Sequence, residues 1–171
     1  MTGADPNEPV AELPYMPGFD LDASLLWPWS RADQTLASAR TYWLSSVRPD
    51  GRPHVAPVWC VWLGNALYFS TGSESRKAKN LEAGGDCAVS VEAGSTHVVV
   101  EGHARRVTDE TTLRLMTDAY ARKYDWPLQV RDGAVFDAEG NGGPVYAVVP
   151  KVVFGFGEEQ QFTATRWRFR R

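Results

Sequence analysis

A short segment of small and basic residues, Ser70–Asn80, has the composition of a phosphate-binding loop. It follows an alternating apolar run, Asn65–Phe69, that predicts a strand, and it leads into residues that predict a helix. The first N–H groups of a helix lack intrahelical acceptors and carry a partial positive charge, so a helix start favours an anion. Three cations lie at this start: Arg76, Lys77 and Lys79. The same pattern also fits an exposed helix that a serine caps and whose basic side chains are only solvated.

The segment before this loop, Tyr42–Leu63, predicts two strands joined by a tight turn. Pro49 presets φ for the turn, and Gly51 accepts a positive φ. After the basic helix, Asp86–Glu92 predicts a further strand. The elements that must position the phosphate-binding loop are therefore a hairpin, a third strand and a helix, followed by a fourth strand.

This ordered set of motifs resembles the split-barrel flavin and deazaflavin oxidoreductase superfamily, whose founding member is pyridoxamine 5′-phosphate oxidase. The closer likeness is to the actinobacterial branch that uses the deazaflavin coenzyme F420. Three motifs carry it: Pro-Asp-Gly-Arg-Pro-His at Pro49–His54, Pro-Val-Trp at Pro57–Trp59, and Ser-Arg-Lys-Ala-Lys-Asn-Leu at Ser75–Leu81. The resemblance extends from about Trp29 to the C-terminus.

The resemblance implies a set of cofactor-binding residues. In that family the Ser-Arg-Lys motif binds the cofactor phosphate, and the tricyclic ring lies along the second strand. Asn80 would brace the loop, and Trp167 with Arg168 would close over the cofactor. The residue types alone also fit a surface asparagine, core-packing tryptophans and polar residues that end a strand. The implied set is Val55, Pro57, Val58, Trp59, Ser70, Thr71, Ser75, Arg76, Lys77, Asn80 and Trp167.

The resemblance also implies an activity, namely hydride transfer from reduced F420 to an unsaturated or conjugated small molecule. FMN is an alternative cofactor, because both molecules carry a phosphate and a tricycle. A non-catalytic protein that binds a flavin, haem or fatty acid on the same fold is a second alternative. No catalytic residue is assigned, since solvent water, Lys77 and His54 suit the role of proton donor equally. Family members are homodimers with the cofactor cleft at the subunit interface, and we expect the same here.

Composition favours one domain without a nucleic-acid or membrane partner. A chain of 171 residues with 43% hydrophobic content can bury roughly two thirds of its unfolded surface. The net charge of −3, without a long run of one sign, does not favour nucleic acid or anionic membranes. The two cysteines lie inside apolar strands and form no disulfide framework. The sequence shows neither a signal-peptide pattern nor about 18 consecutive apolar residues, which predicts a cytoplasmic protein.

Strand patterns predominate over two or three helices and do not alternate with them, which predicts a mostly β, antiparallel barrel with accessory helices. The resemblance narrows this fold to the FMN-binding split barrel. Residues 1–28 predict an extended arm, and residues 29–171 the cofactor-binding domain. The predicted helices span Ser30–Arg40 and begin again at Thr108, and Gln129–Gly143 predicts a loop. The remaining predicted strands are Tyr42–Val47, Val55–Leu63, Ala66–Ser70, Asp86–Val91, Thr96–Val107, Val145–Phe156 and Phe162–Phe169.

Motifs of other chemistries are missing from the sequence. It contains no Gly-x-Ser-x-Gly elbow, Walker loop or Gly-x-Gly-x-x-Gly fingerprint. None of the three histidines, His54, His97 and His103, has another histidine or a cysteine three or four residues further on. We therefore predict no metal site and a reaction in which a cofactor carries the chemistry.

Overall fold

The structure, a computed structural model, describes residues 8–158 and 161–169 of the chain. Strands predominate, and every described pairing is antiparallel, as the sequence predicts. The helices are α1 (Trp29–Ser38), α2 (Arg76–Ala83) and α3 (Glu110–Tyr124). The strands are β1 (Val10–Glu12), β2 (Tyr42–Val47), β3 (Pro53–Val58), β4 (Val61–Leu63), β5 (Ala66–Ser70), β6 (Asp86–Ala93), β7 (Thr96–Val107), β8 (Gln129–Arg131), β9 (Ala134–Phe136), β10 (Gly142–Gly143), β11 (Val145–Glu158) and β12 (Phe162–Arg168).

Strand β11 organises the main sheet, whose order is β1-β12-β11-β7-β6-β2-β3. It pairs with β7 along most of its length. On its other side, Val145–Val148 pairs with β5, and Val152–Glu158 pairs with β12. Strand β4 then adds to β5. One long strand therefore fixes the end of β5, from which the predicted phosphate-binding loop leaves.

The sheet does not close into the predicted barrel. In the described residues β3 is an edge strand, and no ladder joins its free side to a further strand. Pro53 and Pro57 lack N–H groups, so this edge offers two donors fewer to a neighbour. Both residues face outward opposite Val47 and Trp43 of β2. The fold is a mostly antiparallel β structure with its sheet open at β3.

The predicted single strand Val55–Leu63 is wrong, because the chain breaks into β3 and β4 at Trp59 and Cys60. Helix α3 supplies the hydrogen bonds that the sheet cannot make there. Tyr120 Oη donates to the Trp59 carbonyl at 2.9 Å. Tyr124 Oη accepts from the Cys60 N–H at 3.0 Å and lies 2.8 Å from the Cys60 carbonyl. These contacts satisfy buried backbone groups that would otherwise be costly.

Lys123 completes this attachment of α3 to the sheet. Its ammonium donates to Tyr42 Oη at 2.7 Å, to the Ala37 carbonyl at 2.9 Å and to the Cys60 carbonyl at 3.1 Å. All three ammonium protons are thus used. Burial lowers the pKa of Lys123 to about 8, although the nearby Cys60 tends to raise this pKa. The last turn of α3 therefore holds α1, β2 and the β3–β4 break together.

The predicted loop Gln129–Gly143 is also wrong, because it contains the small sheet β10-β9-β8. Strands β8 and β9 are joined by Asp132 and Gly133, both of which have a positive φ. An Asp-Gly pair with this geometry is the typical two-residue turn of a β-hairpin. The glycines here mark a hairpin turn and close backbone packing rather than an irregular loop.

The segment before α1 joins the same sheet and core. Strand β1 pairs with β12, and Trp27 is buried against the face of β11. A Cβ on Gly155 would lie 2.7 Å from the Trp27 ring and 2.9 Å from the Trp167 ring, so this glycine makes room for both indoles. Residues 1–7, part of the predicted arm 1–28, lie outside the described residues. No described helix is both long and apolar enough to span a membrane.

We expect Tyr124→Phe to destabilise the protein by about 1–3 kcal/mol, because it leaves the buried Cys60 N–H without an acceptor while the ring packing stays. Urea unfolding measures the free energy. The matched control is Tyr15→Phe, since Tyr15 is 90% exposed, and it should change the stability by less than about 0.5 kcal/mol. Equal stability of the two variants would contradict the role given to α3.

Candidate functional site

A cleft of about 420 Å³ lies where β3 ends and the loop from β5 enters α2. Six of its lining residues belong to the set that the sequence predicts. The cleft is lined by Thr41, Pro57, Val58, Trp59, Ser70, Thr71, Lys77 and Tyr120. The fold therefore brings the predicted ring-binding strand and the predicted phosphate-binding loop to one place.

The polar side of the cleft is fixed by Gly143 and Pro144, which lead from β10 into β11. Ser70 Oγ donates to the Gly143 carbonyl at 3.1 Å, and the Thr71 N–H donates to the Pro144 carbonyl at 3.3 Å. Gly143 has a φ of 149°, and a Cβ there would lie 2.5 Å from the Thr71 carbonyl oxygen. Only glycine allows this close approach of two backbones.

The start of α2 presents free donors beside the cleft. Ser75 is the N-cap, and its Oγ accepts from the Ala78 N–H at 3.2 Å and lies 3.1 Å from Thr71 Oγ1. The Arg76 and Lys77 N–H groups are at the first two helical positions, which have no intrahelical acceptor. The Lys77 ammonium makes no ion pair with a described residue, and its side chain lines the cleft. This arrangement suits an anion.

The apolar side of the cleft is a wall formed around Trp59. The Trp59 ring stacks on Tyr124 with centroids 4.8 Å apart and planes 4° apart. Trp126 meets it edge-on at 6.1 Å. Trp59 nevertheless remains 43% exposed. One face of the indole is thus held rigidly by α3, and the ring can offer flat apolar surface to a bound aromatic group.

A buried polar cluster lies behind the start of α2. Asn80 is 2% exposed, and its Nδ2 donates to Ser46 Oγ at 3.0 Å. Ser46 pairs with His54 across the β2–β3 hairpin. Three buried atoms of this cluster have no partner among the described residues: Asn80 Oδ1, His54 Nδ1 and Arg48 Nε. Asn80 therefore braces α2 against β2 rather than lying on the helix surface.

Positive charge converges on this cluster. Burial lowers the pKa of His54, and the charges of Arg48, Lys77 and Arg76 lower it further, in that order. Arg48 and Arg76 also help to lower the pKa of Asp50, although its hydrogen bonds to Arg52 matter more. Several cations held near one another repel unless an anion lies among them. The cluster thus fits the phosphate group that the sequence predicts.

The remaining predicted residues lie outside the cleft lining. Ser75, Arg76 and Asn80 belong to the α2 start and its support, and Val55 is exposed on the outer face of β3. Trp167 lies apart from all of them. It is fully buried in the core, with its ring 5.5 Å from Trp29 and 6.4 Å from Trp27. The structure therefore gives Trp167 a packing role and does not bring it to the cleft.

Three residues near the site were missed by the sequence interpretation. Thr41 and Tyr120 line the cleft because α3 packs beside the β3–β4 break, which the sequence does not reveal. Arg48 joins the cationic cluster from the end of β2. The sequence could have indicated Arg48, because a hairpin built around the Pro-Asp-Gly turn places Ser46, Arg48 and His54 on one face. Among the described residues no group of His, Cys, Asp and Glu could hold a metal ion.

Solved structures share this fold. A conserved hypothetical protein from Mycobacterium tuberculosis, Rv2991, is 20% identical, with 88% of this chain and 90% of that chain covered and a TM-score of 0.64. A protein described as an F420 reductase is 26% identical over 71% of this chain and 94% of that one, with a TM-score of 0.54. A FAD-binding protein from Mesorhizobium loti is 17% identical over 84% and 96%, with a TM-score of 0.56. The first and third likenesses concern the fold alone.

No curated protein matches the chain significantly in sequence. The family model described as pyridoxamine 5′-phosphate oxidase, in contrast, matches residues 29–143, which is more than half of the chain. This range contains the hairpin, the whole cleft lining and α2 with its supporting cluster. The chain therefore belongs to the pyridoxamine 5′-phosphate oxidase family, with its flavin-binding, oxidoreductase type of fold.

Proposed function

We propose that this protein is an oxidoreductase that binds coenzyme F420 and reduces an unsaturated or conjugated small molecule. The observation that carries the proposal is a single cleft with two unlike sides. One side is the flat apolar wall of Trp59, and the other is the start of α2 with the Lys77 ammonium, which makes no ion pair with a described residue. A molecule with a tricyclic ring and a phosphate matches both sides.

The residues of the chain would bind and orient the cofactor. Lys77, the first N–H groups of α2 and the cationic cluster would hold the phosphate, while Pro57, Val58 and Trp59 would align the ring. When bound, the reduced cofactor supplies a hydride. The cleft residues would keep the two reactants in contact. Of the two side chains considered as proton donors, Lys77 lines the cleft and His54 does not.

The likeness to the F420 reductase and the motifs of the F420 branch support the deazaflavin over FMN. FMN would use the same phosphate and ring contacts, so the cleft alone does not discriminate between them. The described residues that line the cleft include no carboxylate and no histidine, which is equally compatible with a protein that only binds its ligand. Affinity and turnover separate these alternatives.

Titration of the purified chain with F420, followed by fluorescence, tests the cofactor. We expect micromolar or tighter binding of F420 and weaker binding of FMN, and then oxidation of the reduced deazaflavin when conjugated acceptors are added. Preference for FMN would move the protein to the flavin branch. Tight binding without turnover on any acceptor would make it a binding protein.

The variant Lys77→Gln tests the phosphate contact. A charged hydrogen bond contributes at least about 1 kcal/mol, so the dissociation constant of F420 should rise at least about fivefold. The melting temperature should stay nearly unchanged because the Lys77 side chain is not part of the core. The control is Lys79→Gln on the same helix, since Lys79 pairs with Glu74 at 3.0 Å. Equal affinity of both variants would remove Lys77 from the site.

The pKa of His54 reports on the cationic cluster. Its pKa is below the ordinary 6.5 in the free protein. Arg48→Met should raise it by removing a nearby charge, whereas Arg122→Met on exposed α3 should leave it unchanged. A bound phosphate should also raise it, so affinity should increase as the pH falls towards this pKa. NMR titration of the imidazole measures both effects, and an unchanged pKa in Arg48→Met would contradict the convergence of charge.

We further propose that the active unit is a homodimer with the cleft at its interface, as the resemblance implies. The outer face of β2 and β3 supports this, because it exposes Trp43 (50%), Val47 (56%) and Val55 (55%) next to Pro57 of the cleft. A contiguous apolar surface of this kind is typical of protein interfaces.

Sedimentation tests the dimer. The native protein should have twice the chain mass of 19.0 kDa. Val55→Glu would place a charge in the apolar interface, so this variant should sediment as a folded monomer and bind the cofactor more weakly. Val10→Glu, at the distant edge strand β1, is the matched control. A monomeric native protein, or a Val55→Glu variant that stays dimeric, would contradict the proposed interface.

A further inference from the structure

A second cleft, of about 610 Å³, lies at the opposite end of β5 from the first and is independent of the proposed function. Its wall includes the β4–β5 turn at Gly64 and Asn65, whereas the first cleft begins at Ser70. Five residues of extended strand separate these points, a distance of roughly 17 Å. The two clefts are therefore different sites.

The second cleft is strongly basic. Four of its lining residues carry positive charge: Arg105, Lys151, Arg166 and Arg168. The described residues that line it include no carboxylate, although the chain as a whole has a net charge of −3. Such a local excess of one sign in a concave surface concentrates anions.

The cations are held there by the fold. A β-bulge between Pro150 and Val152 adds Lys151 as an extra residue to β11. Lys151 donates to Asp86 Oδ1 at 2.8 Å and remains half exposed. Arg105 makes no ion pair with a described residue. Arg105 and Lys151 therefore keep donors available for a ligand.

The two arginines of β12 already bind a carboxylate at the edge of the cleft. Arg168 Nε donates to Glu12 Oε1 at 2.6 Å, and Arg166 lies 3.1 Å from the same oxygen. The Glu12 carboxylate thus pairs with both guanidinium groups. The buried Arg166 Nε has no acceptor among the described residues. The Arg168 side chain is 60% exposed and only its Nε binds Glu12, so its other guanidinium N–H groups remain available for a further anionic oxygen.

We propose that this second cleft binds a small organic anion that carries two or more carboxylate or phosphate groups. The guanidinium groups and Lys151 bind the anionic groups, and Pro150 and Phe169 provide an apolar surface for the carbon skeleton. Glu12 and Asp86 neutralise two of the four positive charges, so two remain and a dianion would balance them.

Calorimetric titration of the full chain at low ionic strength tests the site. Citrate is the carboxylate probe and pyrophosphate the phosphate probe, and stronger binding of one identifies the anionic group. We expect saturable binding of at least one probe, weakened at least tenfold in the double variant Arg105→Gln/Arg168→Gln. Arg114→Gln, an exposed α3 arginine paired with Glu110, should bind as the native protein does.

Three results would overturn the proposal. The first is that neither probe shows saturable binding. The second is that the double variant binds a probe as tightly as Arg114→Gln does. The third is loss of probe binding in Lys77→Gln with full binding in the double variant, which would place the anion at the first cleft. Failure of F420 to bind, in contrast, bears only on the first cleft.

Discussion

The break between β3 and β4 is the constraint on which the first cleft depends. At Trp59 and Cys60 the chain leaves the sheet, and its backbone groups would be buried without partners. Tyr120 and Tyr124 of α3 supply those partners, and Lys123 adds a third attachment. Because the same tyrosine that accepts from Cys60 also stacks on Trp59, the hydrogen bonds that satisfy the break also orient the wall of the cleft.

The opposite side of the cleft depends on a hydrogen bond that holds several positive charges close together. Asn80 ties α2 to β2 through Ser46, and this contact holds the α2 cations near Arg48 and His54. Bringing these charges together costs electrostatic free energy in the protein alone. A bound phosphate would offset that cost, which is why we propose this place for the phosphate of the cofactor.

The two clefts illustrate how an acidic chain can contain basic sites. Both occur where strands end or bulge, so side chains of several elements converge without competing for ladder hydrogen bonds. In the first cleft Lys77 supplies the positive charge of the lining, beside the aromatic wall of Trp59. In the second they are spread along β7, β11 and β12 and share Glu12 and Asp86 with the chain itself. This difference in spacing suits one anionic group in the first case and several in the second.

Much of the architecture follows from local sequence. Alternating apolar residues determine β2 and β7, Pro49 and Gly51 determine the first hairpin, and the serine-capped α2 follows from its own residues. The Pro-Val-Trp motif and the Ser70–Asn80 segment accordingly led to six of the eight residues that line the first cleft. Family membership, too, rests on motifs that are contiguous in the chain.

Only the tertiary structure decided the features that join distant segments. The apolar run Val55–Leu63 reads as one strand, and it breaks because α3 satisfies the Trp59 and Cys60 backbone. Trp167 is one of the cofactor-binding residues that the resemblance implies, yet Gly155 makes room for it beside Trp27 in the core, away from the cleft. The second cleft likewise gathers cations from three strands and has no contiguous signal. A sequence determines local conformation through neighbouring residues, whereas burial and hydrogen-bond partners come from residues up to more than a hundred positions away, as Trp27 and Thr165 show.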